Sequence, residues 1–150
     1  MVERQIAYLA PETTASNVIE IRVPAKPGPL AVMRAVAGDV AMRADFDVDS
    51  IADVRLAVEE ACTTLAKIAI PGAPLVCRFH TEGDRFVAVA EAISDSPAGP
   101  DTDTFSWRVL NTLADTVSTE RIPDTDETNL VRIELTKAQA VVTGEQQGWG

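Results

Sequence analysis

The chain has 150 residues, 46% of them hydrophobic, enough for one domain with a buried core that needs no disulfide or metal staples. Its 13 Lys+Arg stand against 23 Asp+Glu, and a net charge of −10 with no basic cluster argues against a phosphate backbone as partner, so direct nucleic-acid binding is excluded. No stretch approaches the roughly 20 apolar residues that span a bilayer and no N-terminal run resembles a signal peptide, so no membrane association and a cytoplasmic location are expected.

Residues 1–16 mix polar residues with Pro11, hold no sustained period and read as a flexible N-terminal arm. Val18 to Val23 alternates and is β-branched, which predicts a strand with Ile19, Ile21 and Val23 on its buried side. Pro24, Pro27 and Pro29 end it. From Leu30 to about Ala44, the residues Leu30, Met33, Val36, Ala37, Val40 and Ala41 fall on one helical face, with proline near the start where its missing N–H costs nothing.

Asp47, Asp49 and Ser50 are candidate N-caps for the most strongly patterned helix, which should run to about Ile70 before Pro71-Gly72 breaks it. Ile51, Val54, Val58, Ala61, Leu65 and Ile68 recur at spacings of three and four and form one apolar stripe. Along one flank lie Asp53, Ala57, Glu60, Thr64 and Lys67, at the boundary where a side chain can be held and still reach a ligand. Arg55 and Glu59 fall on the opposite, solvent-facing flank.

Two strands follow, near 75–81 and 85–93, joined in hairpin fashion by Glu82-Gly83-Asp84. Ser94 to Thr104 has no apolar pattern and is a loop. Phe105, Val109, Leu110, Leu113 and Val117 predict a third amphipathic helix, and Leu130, Ile133 and Leu135 a closing strand whose flank Val131 points the other way. Residues 17–137 therefore make the domain, and 138–150 a flexible tail. The order predicts an α+β fold, a two-layer α/β sandwich with helices on one face of a mixed or antiparallel sheet. Cys62 and Cys77 have no metal-ligand spacing and read as reduced core thiols; His80 is the single histidine.

The run Ala57-Val58-Glu59-Glu60-Ala61-Cys62-Thr63-Thr64 resembles the "AVxEAxTN" helix of RsbW/SpoIIAB-type anti-sigma factors, serine kinases of the GHKL (Bergerat, HATPase-like) superfamily. There the Glu is general base and the Asn, one turn on, holds Mg²⁺. The resemblance makes Glu60 the candidate base and puts Thr64 at the Mg²⁺ position, where a hydroxyl replaces the amide. The family's Asp-x-Gly-x-Gly turn, whose Asp reads the adenine amino group, is matched by Asp95-Ser96-Pro97-Ala98-Gly99. Asp95 and Gly99 agree, and Pro97 replaces the first Gly.

The family's Gly-x-Gly-Leu phosphate cradle at a helix start aligns with Thr104-Phe105-Ser106-Trp107 when Leu113 to Val117 is set on the family's "LMDEV". Both glycines are absent, and the aromatic pair stands beside the phosphate path. Thr104 and Ser106 remain as candidate cofactor contacts or ordinary N-caps. Asp101 and Asp103 would repel phosphate and are too few to hold Ca²⁺. Glu60 also has a purely structural reading, a solvated glutamate paired with Thr64 or Lys67. Asp95 likewise has one, a residue of a polar loop.

What the resemblance implies is an anti-sigma factor that sequesters an alternative, stress- or development-related sigma factor and is released by an anti-anti-sigma partner. ATP and Mg²⁺ would be bound weakly. Family members dimerise and meet sigma with the first strand and first helix, here Val18 to Ala44. Two alternatives stay open: an active serine kinase acting on the anti-anti-sigma protein, and an acidic interaction domain that keeps the scaffold for a partner unrelated to sigma.

Overall fold

A computed structural model describes residues 17–140. The arm at 1–16 and most of the tail, 141–150, lie outside the described residues. In chain order the elements are β1 (Ile19–Pro24), α1 (Pro27–Arg43), α2 (Val48–Ile68), β2 (Pro74–Glu82), β3 (Arg85–Ser94), α3 (Phe105–Leu113), β4 (Thr116–Pro123) and β5 (Asn129–Ala138). The five strands form one sheet in the order β1-β2-β3-β5-β4. Every neighbouring pair is antiparallel, which resolves the choice between a mixed and an antiparallel sheet.

Alternate strand residues share a face, and one face is apolar. Leu75, Cys77 and Phe79 of β2, Phe86, Ala88, Ala90 and Ala92 of β3, and Val131, Ile133 and Leu135 of β5 join the helices in one buried cluster, so Val131 rather than Leu130 shares the core face with Ile133, and Leu130 packs with Ala73 and Ile93 instead. From α1 come Leu30, Met33, Ala37, Val40 and Ala41, and from α2 Val54, Ala57, Val58, Ala61, Cys62 and Leu65, the residues their helical spacing singles out. Leu110 is the fully buried anchor of α3. The three helices therefore cover one side of the sheet, and the two-layer sandwich follows from two periods, 3.6 and 2, facing each other.

The helix ends carry their own chemistry. Asp47 caps α2, accepting from the Ser50 N–H at 3.2 Å, which selects one of the three candidate caps. Between β2 and β3, Gly83 takes φ +61° at the first position of a two-residue turn, where a side chain would be strained. Asp45, between α1 and α2, sits at φ +64°, and its carbonyl accepts from Gln139 Nε2 at 2.8 Å.

Further expectations change. The third helix stops at Leu113, and Val117 belongs to β4, paired with Leu135. Leu113 and Val117 are four apart and satisfy a helical stripe, but Asp115 N–H already bonds Thr136 O at 2.8 Å, opening a strand at the sheet edge. Ile19 is 41% exposed because β1 is an edge strand, leaving only Ile21 and Val23 against the core. β5 runs to Ala138, and Gln139 N–H donates to Asp84 O at 2.7 Å. Glu59 is ion-paired with Arg34 of α1 at 3.2 Å rather than solvated, while Arg55 lies over Gly38.

Candidate nucleotide site

Glu60 and Thr64 sit half-buried on the flank of α2 that the sequence assigns to a ligand, one turn apart. The Thr64 hydroxyl donates to the Glu60 backbone carbonyl at 2.9 Å, the back-bond a mid-helix threonine makes. Its oxygen lone pairs remain, but the side chain is turned along the helix. The Glu60 carboxylate has no hydrogen-bond or ion-pair partner among the described residues, so neither Thr64 nor Lys67 takes it up. At the start of the same flank Asp53 pairs with Lys137 Nζ of β5 at 3.4 Å, fixing the helix to the sheet.

The C-terminal end of α2 is tied to the end of β3. Ala69 bridges Ser94, and Ile70 N–H donates to Ile93 O at 2.8 Å. Asp95 follows directly, exposed, its carboxylate without a partner among the described residues. Thr64 thus lies five residues, roughly 7.5 Å of helical rise, before the point where α2 meets the strand that delivers Asp95. Gly99 has no neighbour within 4 Å of where a Cβ would sit and no positive φ, so this loop conformation does not itself demand glycine there.

The loop before α3 is held by local hydrogen bonds. Asp101 Oδ1 accepts from Asp103 N–H at 2.8 Å, and the Thr104 hydroxyl donates to Asp101 O at 3.2 Å. The Thr104 oxygen accepts from Trp107 N–H at 3.1 Å, so Thr104 is the N-cap of α3 and uses the N–H a bound phosphate would want. Ser106 is half-buried with no side-chain partner among the described residues. Of the two aromatics, Trp107 packs against the core while Phe105 is 77% exposed.

These donors suit the two ends of a nucleotide unequally. A carboxylate acceptor free at Asp95 matches an adenine amino group. The start of α3, where the resemblance puts the phosphate cradle, is capped by Thr104 and preceded by the carboxylates of Asp101 and Asp103. Among the described residues no group of three or more His, Cys, Asp or Glu is placed to hold a metal ion. Also among them, no helix is long and apolar enough to cross a membrane. The sequence singles out no residue that fixes the Asp95 loop; those residues, Ser94 and Asn129, emerge only from the register.

Comparison with known proteins bears on the fold as a whole. A family model described as "Histidine kinase-like ATPase domain" matches residues 23–135, from β1 through β5. The chain is 39% identical over 103 residues to the anti-sigma-F factor RsbW of Mycobacterium tuberculosis, covering 69% of this chain and 61% of that protein. It is 33% identical over 90 residues to the serine-protein kinase RsbW of Halalkalibacterium halodurans, covering 59% and 54%. With the serine-protein kinase RsbW of Bacillus subtilis it shares 31% over 84 residues, 54% and 52% of the two chains. The chain thus spans about three fifths or less of the length of these relatives. A family match running across the whole sheet and its helices settles membership: the chain belongs to the histidine kinase-like ATPase domain family.

Proposed function

We propose that this protein is an anti-sigma factor that binds and sequesters an alternative sigma factor and is released by an anti-anti-sigma partner, with a nucleotide pocket that retains its adenine end and has lost its phosphate end. One observation carries the reading: the helix start that should cradle phosphate is capped by Thr104 and preceded by Asp101 and Asp103, while the fold around it is complete. Similarity to relatives named anti-sigma-F factor RsbW supplies the partner class. A homodimer that offers β1 and α1 to sigma belongs to the same proposal.

Sequestration needs a shaped, complementary face and no phosphotransfer. An acidic protein of net charge −10 gains association rate towards a basic sigma surface through long-range steering. Asp95 would read the adenine amino group. Glu60 and Thr64 would face the phosphate side, and no chemical step is assigned to them.

A second reading is favoured by one feature, the unpartnered carboxylate of Glu60 one turn from a hydroxyl. This is the kinase arrangement, in which Glu60 removes a proton from a partner's serine. Purified protein titrated with the alternative sigma factors of its own organism tests the proposal. One of them is expected to bind and to be repressed in reconstituted transcription without ATP. Binding to none would overturn the sigma reading, and labelled phosphate passing to an anti-anti-sigma protein would replace it with the kinase.

A further inference from the structure

An exposed loop carboxylate reads a base selectively only if its backbone is held, because every loose residue dilutes the productive geometry. Asp95 follows Ser94, which is fully buried at the end of β3, and its other neighbour is fixed twice. Ser96 N–H donates to Ser94 Oγ at 3.1 Å, and Ser96 C=O accepts from Asn129 Nδ2 at 2.9 Å. Asn129 opens β5 directly across from Ser94 and is 9% exposed. Its other amide atom, Oδ1, accepts from Arg121 Nη1 of β4 at 2.8 Å. A guanidinium can only donate and a carbonyl can only accept, so the two ends of this amide are not interchangeable.

We infer that Asn129 is a positioning residue for adenine recognition: it ties the loop that carries Asp95 to β5 and thereby sets preference for adenine over guanine. The inference rests on the nucleotide reading of Asp95 proposed above. The β4–β5 turn supports Asn129 from below, with Asp124 N–H and Thr125 N–H both donating to Thr128 O at 3.0 Å. The relay from Arg121 through Asn129 to Ser96 therefore runs from the edge strand to the base-reading loop.

The informative change is Asn129→Asp. It keeps size and the Arg121 partner and replaces the donor towards Ser96 O with a second acceptor, which repels the carbonyl and frees the loop. Calorimetric titrations with ATP and with GTP, on the full chain without Mg²⁺, measure the outcome, with thermal melts run alongside. Expected is a loss of about tenfold in ATP affinity with GTP binding unchanged, so the ATP-to-GTP ratio collapses while the fold survives. Ser94→Ala, which removes the other tie, should move the ratio the same way and serves if Asn129→Asp does not fold. A folded Asn129→Asp or Ser94→Ala protein with the wild-type ratio overturns the inference. If wild type binds no ATP, or Asp95→Ala binds it as well as wild type, the nucleotide reading itself fails and takes this one with it.

Discussion

Glu91 is completely buried in the middle of the sheet, and Arg78 on the adjacent strand holds one of its oxygens at 2.6 Å. Arg132 takes the other at 3.1 Å, and the chain of charge continues outward to Glu20 and Glu120, so alternating signs cross all five strands on the face away from the helices. Burial of a carboxylate is tolerated because both of its oxygens are satisfied by cations.

Removing the central acid should therefore cost far more than removing an end. Glu91→Ala removes the buried acid that Arg78 and Arg132 share, leaving them only the more exposed Glu20 and Glu120, and is expected to destabilise by about 3–5 kcal/mol. Glu120, whose side chain is 60% exposed, should cost under about 1 kcal/mol when replaced by alanine. Urea unfolding of the two variants checks the contrast; similar midpoints would show that the ladder is not a structural unit.

That ladder was not legible in the sequence, and the reason is geometric. Glu20, Arg78, Glu91, Arg132 and Glu120 are scattered along the chain and become neighbours only through the registers of four strand pairs. The helices were legible because Ile51 through Ile68 carries its own period. β4 was not, since Val117 and Ile122 are its only apolar residues that approach the interior and its exposed edge shows no alternation. Within the candidate site, Glu60, Thr64 and Asp95 stand out by local motif, whereas Asn129 acts on a loop 33 residues earlier and has no motif.

Two carboxylates tie stability to acid. The Ser50 hydrogen bonds hold the Asp47 carboxyl below its ordinary range, and His80, then Arg85, do the same for Glu82. A carboxyl whose folded pKa is depressed stabilises the fold above its unfolded pKa, and that contribution is lost as pH falls through the folded value, on the acid limb. Asp47→Asn and Glu82→Gln should each flatten the acid limb of a stability–pH curve without altering its neutral plateau's shape. Acid limbs parallel to wild type would mean that neither contact persists in solution.

The thiols should be inert in the native protein. Cys62 and Cys77 are buried beside each other between α2 and β2, and burial, followed by the Cys62 neighbour, pushes the Cys77 thiol well up. Thiolate is the reactive form, so little is present at neutral pH. Ellman's reagent should label neither cysteine in native protein and both in urea. Rapid native labelling would place at least one of them at the surface.

Restoring a lost ligand tests the metal side. Thr64→Asn supplies the amide oxygen that the related helix carries, beside Glu60 and without a large change in volume. ATP binding should become Mg²⁺-dependent and tighten about tenfold, while wild type stays weak and nearly indifferent to EDTA. A wild-type affinity that is sub-micromolar and collapses with EDTA would show that the phosphate end is intact as it stands.

Glu60 separates the two functional readings most directly. A general base acts in the transition state and contributes little to holding a partner, whereas a sequestering face acts in the ground state. Glu60 is also unpartnered among the described residues, so its removal breaks no ion pair and should leave stability within about 0.5 kcal/mol. Glu60→Ala should accordingly bind its sigma factor with wild-type affinity and repress transcription in a purified system, and complex formation should weaken as salt rises because steering is screened. A Glu60→Ala protein that is folded by circular dichroism and fails to repress would displace sequestration. So would phosphate transfer to an anti-anti-sigma protein that wild type performs and Glu60→Ala loses; the kinase would then be the working function of this fold.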